Sequence, residues 1–147
     1  MKRLLIAVLA TTTVLTAPTI AYATADRSTP PDARAAKWHK MNDQSTSGAQ
    51  WSDARYRFLP AGPETRGAFN FTGTLRSTDK NNGVYLEVAV HGYAPNVFRA
   101  SRGTAKRYNK NVFDGAMQRT RDVRVRVCRD RGTLIPDNCS GKEEYVR

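Results

Sequence analysis

Residues 84–91 read VYLEVAVH and residues 123–128 read VRVRVC. In both, apolar and polar side chains alternate one for one. A period of two is the signature of a half-buried β-strand, because successive side chains leave a strand on opposite faces. Val84, Leu86, Val88 and Val90 therefore share one face with Tyr85, Glu87, Ala89 and His91 on the other. Likewise Val123, Val125 and Val127 form one row and Arg124, Arg126 and Cys128 the opposite row. Two strands of this kind need another layer of structure to cover their apolar faces, so the chain is built around β-sheet.

The same period runs through residues 55–58 (RYRF) and 69–75 (FNFTGTL), where Phe69, Phe71 and Leu75 fall on one side. The polar run 77–83 (STDKNNG) ends in an Asn-Gly pair of the type that closes hairpins, predicting one between the strands on either side. Residues 97–100 predict a short strand and 145–146 a last edge strand. Residues 111–120 fit a strand or a helical turn through Val112, Phe113 and Met117, and we assign them to a strand with Phe113 in the core. Short strands divided by turn signals, with no good long helix, indicate a small antiparallel β-sandwich or barrel.

The start of the chain has a different character. Lys2 and Arg3 precede an apolar run from Leu4 to Leu15, and Pro18 is followed by Ala21-Tyr22-Ala23 and Ala23-Thr24-Ala25. This is the layout of a secretory signal peptide, residues 1–23, with cleavage after Ala23 or Ala25. The run falls short of the roughly 20 apolar residues of a spanning helix, and no later segment is long enough either. Residues 24–50, rich in Ala, Ser, Thr and charge, predict a polar flexible lead-in with a possible short helix over 33–41, leaving 51–147 as one β-domain. In an exported chain the only two cysteines, Cys128 and Cys139, predict a disulfide around a ten-residue exposed loop. Two cysteines and two distant histidines do not make a metal site, and nothing in the sequence calls for a cofactor.

Charge narrows function further. Removing Lys2 and Arg3 from the 24 basic residues leaves 22 against 13 acidic, a net of +9. Eleven basic residues lie between Arg99 and Arg131 against Asp114, Asp122 and Asp130. A basic face including Arg119, Arg121, Arg124, Arg126, Arg129 and Arg131 is the candidate binding surface. Its expected partner is an anionic polymer: wall polymer, acidic glycan or nucleic acid. Glu87 and His91 are the candidate acid–base pair of an alternative reading, a small secreted hydrolase of phosphodiester or glycan. Two residues four apart on a strand are separated by about 13 Å, which disfavours direct cooperation. No Gly-x-Ser-x-Gly elbow, phosphate-binding Gly-x-x-x-x-Gly-Lys loop or His-Glu-x-x-His site occurs. A third reading is a protease inhibitor presenting Leu134-Ile135-Pro136 on the stapled loop. A secreted, noncatalytic basic domain is the reading these features favour.

Residues 84–94 (VYLEVAVHGYA) and 123–141, with the leader, the polar lead-in and the late cysteine pair, resemble small exported β-rich proteins of uncharacterised function from high-GC Gram-positive bacteria. The resemblance extends over roughly the last two-thirds of the chain. It implies a secreted β-domain and brings no catalytic residue with it.

Overall fold

The computed structural model describes residues 36–116 and 119–147, and the signal peptide expected over 1–23 lies outside them. Ten strands form two antiparallel sheets and no helix occurs among the described residues. Sheet I holds β1 (His39–Lys40), β2 (Gln44–Thr46), β3 (Ala49–Phe58), β4 (Phe69–Ser77) and β7 (Ala105–Val112), in the order β1-β3-β4-β7 with β2 also on β3. Sheet II holds β5 (Val84–Val90), β6 (Asn96–Ala100), β8 (Asp122–Arg129), β9 (Asn138–Cys139) and β10 (Glu143–Val146), in the order β10-β8-β5-β6 with β9 also on β8. Of the two expected architectures the chain adopts the sandwich.

The core follows the alternation. Trp51, Phe69, Phe71 and Leu75 of sheet I face Val84, Leu86, Val88, Val123, Val125 and Val127 of sheet II, all fully buried. Sheet I contributes rings and sheet II contributes branched aliphatics. Tyr145 crosses between them, its ring 4.7 Å from that of Tyr56. A second tie is polar: Gln44 Nε2 on β2 donates to the Val125 carbonyl at 3.3 Å, and the Ser140 hydroxyl donates to Gln44 Oε1 at 3.1 Å.

Cys128 and Cys139 sit directly opposite each other on β8 and β9 and are joined by the expected disulfide, with Cα atoms 4.0 Å apart. The bridge lies on the outward row of sheet II, yet Cys128 and its neighbour Tyr85 are buried. The stapled loop covers them. Asp137 accepts from the Tyr85 hydroxyl at 2.6 Å and from the Arg131 backbone N–H at 2.8 Å, which fixes the base of the loop and leaves Leu134 94% exposed at its tip.

Four expectations need correction. The short helix over 33–41 is not formed in its described part, since residues 36–38 are irregular and His39–Lys40 pair with Tyr56 and Arg55. Fewer than a dozen residues of good propensity cannot hold a helix alone, and here Met41 is buried while its N–H donates to the Ala54 carbonyl at 2.9 Å. The domain consequently begins before residue 51, because 39–50 already supply β1, β2 and the start of β3. The Asn82-Gly83 turn closes no hairpin: β4 and β5 belong to different sheets, and the segment is a crossover. Its conformation comes from Asp79, whose carboxylate accepts from the Asn81 N–H and from Asn82 Nδ2, and from Ser77, whose hydroxyl meets the carbonyls of Asp79 and Asn82. Lastly, the strand expected over 111–120 ends at Val112 and begins at Ala105, with Phe113 exposed beyond it. Residues 117 and 118 of that expectation lie outside the described set.

Candidate anion-binding surface

Strand β8 places the arginines that the sequence singled out, and antiparallel pairing decides what each one meets. Arg124 lies opposite Glu144 on β10 and Arg126 opposite Glu87 on β5. Both form ion pairs, Arg124 Nε to Glu144 Oε1 at 3.1 Å and Arg126 Nε to Glu87 Oε2 at 2.5 Å. Glu87 raises the Arg126 pKa above its ordinary value, chiefly through that hydrogen bond. On the same sheet Arg99 pairs with Asp130 at 2.8 Å. Cross-strand pairs of opposite sign fix register, but they also cancel the field that a ligand would feel.

The other members of the candidate set lie elsewhere. Arg129 continues the valine row and turns inward, pairing with Asp79 at 3.1 Å. Hydrogen bonds from Asn81 and Asn82, aided by Arg129, hold the Asp79 carboxyl below its usual range. Arg131 is exposed in the stapled loop, and Arg119 and Arg121 are exposed ahead of the opposite end of β8. An eight-residue strand is about 26 Å long, so these residues are split between two ends. Near Arg119, Arg147 donates to the carbonyls of Thr120, Leu59 and Gly67, and burial lowers its pKa. The six arginines therefore do not make one face, contrary to expectation. The cause is that an outward row skips every second residue and that carboxylates on partner strands were invisible in a linear reading.

Glu87 and His91 share the outer face of sheet II as their alternation requires. With Tyr93, Arg124, Arg126 and Lys142 they border an open depression of about 320 Å³. The Glu87 carboxylate is held by Arg126, and His91 is exposed at the strand end. What the depression presents is a tied carboxylate among cations. Among the described residues no group of three or more His, Cys, Asp or Glu side chains could hold a metal ion.

The outer face of sheet I was not anticipated. Trp51, Tyr56 and Phe58 on β3, Phe69, Phe71 and Leu75 on β4, and Tyr108 and Val112 on β7 point to the core. Arg55 and Arg57, Asn70, Thr72, Thr74 and Arg76, and Arg107, Asn109 and Asn111 therefore point away. Lys40 on β1 pairs across from Arg55 and extends that row. Five cations, Lys40, Arg55, Arg57, Arg76 and Arg107, thus stand on one polar face. None forms an ion pair among the described residues, and Asp53, in the β-bulge, is the sole acidic residue in the strands of this sheet.

Part of this face is fixed in place. The Arg57 guanidinium lies over the Trp38 ring, 4.4 Å from its centroid, and its Nε donates to Asn70 Oδ1 at 2.9 Å. Asn70, 6% exposed, donates in turn to Asn109 Oδ1 at 3.0 Å and to the Lys110 carbonyl at 3.2 Å. Two shallow clefts flank the Trp38–Arg57 stack. One of about 320 Å³ is lined by Arg57, Leu59, Asn70, Asn109, Lys110 and Asn111. The other, about 380 Å³, is lined by Trp38, Lys40, Asp53, Ala54 and Arg55. The available signal was the alternation of Arg55 and Arg57 with Tyr56 and Phe58. It could not be extended without knowing that 105–112 is a strand.

Compared with known protein families, with curated proteins and with solved structures, the chain shows no match.

Proposed function

We propose that this protein is an exported, noncatalytic domain that holds an anionic cell-surface or extracellular polymer, and that the outer face of sheet I is the surface that does so. One observation carries the reading: the four ion pairs involve Arg99, Arg124, Arg126 and Arg129, while the five cations of the sheet I face have no carboxylate partner among the described residues. Lys40 stands directly opposite Arg55, with Arg57 two residues along β3, and Arg107 lies one diagonal step from Arg76; within each of these two groups neighbouring cations are about a Debye length of 8 Å apart, so their potentials add toward a polyanion. Export is supported by the basic start, the apolar run and the Ala-x-Ala sites of the first 25 residues, and it agrees with a closed disulfide.

The test compares two double variants of the oxidised protein for binding to wall polymer and to DNA at about 50 and 200 mM salt. Each cation that contacts phosphate contributes roughly 0.7 to 0.9 to the slope of log affinity against log salt. Arg55→Ser/Arg107→Ser should lower that slope by about 1.4 to 1.8. Arg124→Ser/Glu144→Ser, which removes a compensated pair, should leave it unchanged. Equal loss in both variants would remove the assignment to sheet I, and no binding by the parent protein at the lower salt would remove the polymer reading.

The braced loop favours a second reading, a protease inhibitor, because Leu134 and Ile135 are exposed on a tip whose base is fixed by the disulfide and Asp137. Stoichiometric inhibition that disappears on reduction would support it.

A further inference from the structure

The cleft beside Arg57 differs from the rest of the basic face in being built. A solvated arginine samples many rotamers, but this one has a ring against its guanidinium and a buried amide holding Nε. Its two η-nitrogens have no partner among the described residues, so the planar fork that matches an oxyanion stands ready in a fixed place. Next to it Asn109 Oδ1 accepts from Asn70, its Nδ2 amide has no partner among the described residues, and Asn111 is exposed one position further along the same row. Leu59 supplies an apolar wall. One oxyanion receptor, neighbouring amides and an apolar edge, around a space of about 320 Å³, match a single sugar ring that carries an acidic group.

Resting on the polymer-binding reading above, we propose that this cleft is a subsite for one acidic sugar unit, with Arg57 receiving its anion and the Asn109 amide its hydroxyl oxygens, so that the polymer is an acidic polysaccharide. Arg55 lies two residues earlier on β3, about 7 Å away, beside the second cleft, where the next unit of a chain running along the strand would lie. Nucleic acid fits less well. Single-stranded sites stack successive bases on aromatic platforms. This face offers one ring near the cleft, Trp38, and Arg57 already lies over it.

The oxidised protein would be tested against a polyuronate, a neutral glycan, poly(glycerol phosphate) and a single-stranded oligonucleotide. Arg57→Lys keeps the charge and removes the fork, and Asn109→Ala removes the open amide while Asn70 keeps the Lys110 carbonyl. Arg57→Lys should weaken the polyuronate roughly tenfold to a hundredfold, the value of a charge-assisted contact, at both salt concentrations. Asn109→Ala should weaken it severalfold, and the oligonucleotide should respond little to either. If both variants bind polyuronate as the parent does while Arg55→Ser/Arg107→Ser weakens it, the subsite is refuted and the polymer-binding reading survives. If the oligonucleotide or the polyol phosphate binds more tightly and loses more with Arg57→Lys, the ligand class is wrong. If no anionic polymer binds, both readings fall.

Discussion

Gly73 occupies the inward row of β4 between Phe71 and Leu75, across from Tyr108 on β7. A side chain there would enter the core, and the space it would need is filled by the Trp51 indole. A Cβ on Gly73 would run into Cζ2, Cη2 and Cε2 of that ring. The indole is fully buried, with Phe71 edge-on at 6.0 Å, so it has little freedom to yield. Forcing one methyl into a packed core costs about 1 to 3 kcal/mol. The lower chain entropy of alanine in the unfolded state returns about 0.4 to 1 kcal/mol. Gly73→Ala should therefore lose about 1 to 2 kcal/mol, a fall in Tm on the order of 5 to 15 °C for a domain of this size. Trp51→Phe supplies the check. It removes the part of the ring that collides, together with Nε1, a buried donor with no acceptor among the described residues. In that background alanine at 73 should be neutral or stabilising. The four proteins of the cycle would be unfolded in urea and followed by circular dichroism, since two of them lack the Trp51 fluorophore. Additivity within about 0.5 kcal/mol, or a stabilising Gly73→Ala in the parent, would refute the account of Trp51 over Gly73.

Replacing Cys128 and Cys139 together with alanine should cost about 2 to 3 kcal/mol from the loop they close, seen as a lower urea midpoint with faster proteolysis near Leu134. Asp79 has its carboxyl depressed below 3.8 by Asn81, Asn82 and Arg129, and Asp137 is depressed by Tyr85 and the Arg131 N–H. A carboxylate depressed in the folded state stabilises it above the unfolded pKa, and that contribution is lost as pH falls through the lower folded value. Urea midpoints taken below pH 3.8 should accordingly fall more steeply for the parent than for Asp79→Asn, and parallel curves would show that the Asp79 bonds do not act this way.

The central strands of sheet II were legible because burial on one face makes them alternate: β5 and β8 carry four and three inward apolar residues without interruption. Strand β7 was not legible. It is an edge strand in which only Tyr108 and Val112 are buried, so its sequence AKRYNKNV reads as a charged loop. The segment before Trp51 misled in the opposite direction, since Ala35, Ala36 and Lys37 favour helix, whereas the burial of Met41 and Gln44 against the sheets decides the outcome. The candidate surface suffered from the same limit. Whether an arginine is free or neutralised depends on which residue the register sets opposite, and Glu144 meets Arg124 across a gap of twenty residues that composition does not encode. Asn70, Asn109 and Trp38 meet around Arg57 only once three separate strands and the chain ahead of β1 are placed side by side.

The far edge of sheet I bears on the protein's behaviour at high concentration. Strand β7 is eight residues long and among the described residues has a partner on one side only, an arrangement to which a second copy of the chain could add a strand. An antiparallel pairing of two copies centred on Arg107 would set that residue of one copy directly against Arg107 of the other, and a pairing centred on Tyr108 would set Lys106 of each against Lys110 of the other. Like charges directly opposed oppose pairing, so these cations work against growth of the sheet into a ribbon of copies. A neutral substitution at Arg107 chosen to abolish ligand binding would remove that protection too, and sedimentation of the variant belongs beside any titration of it.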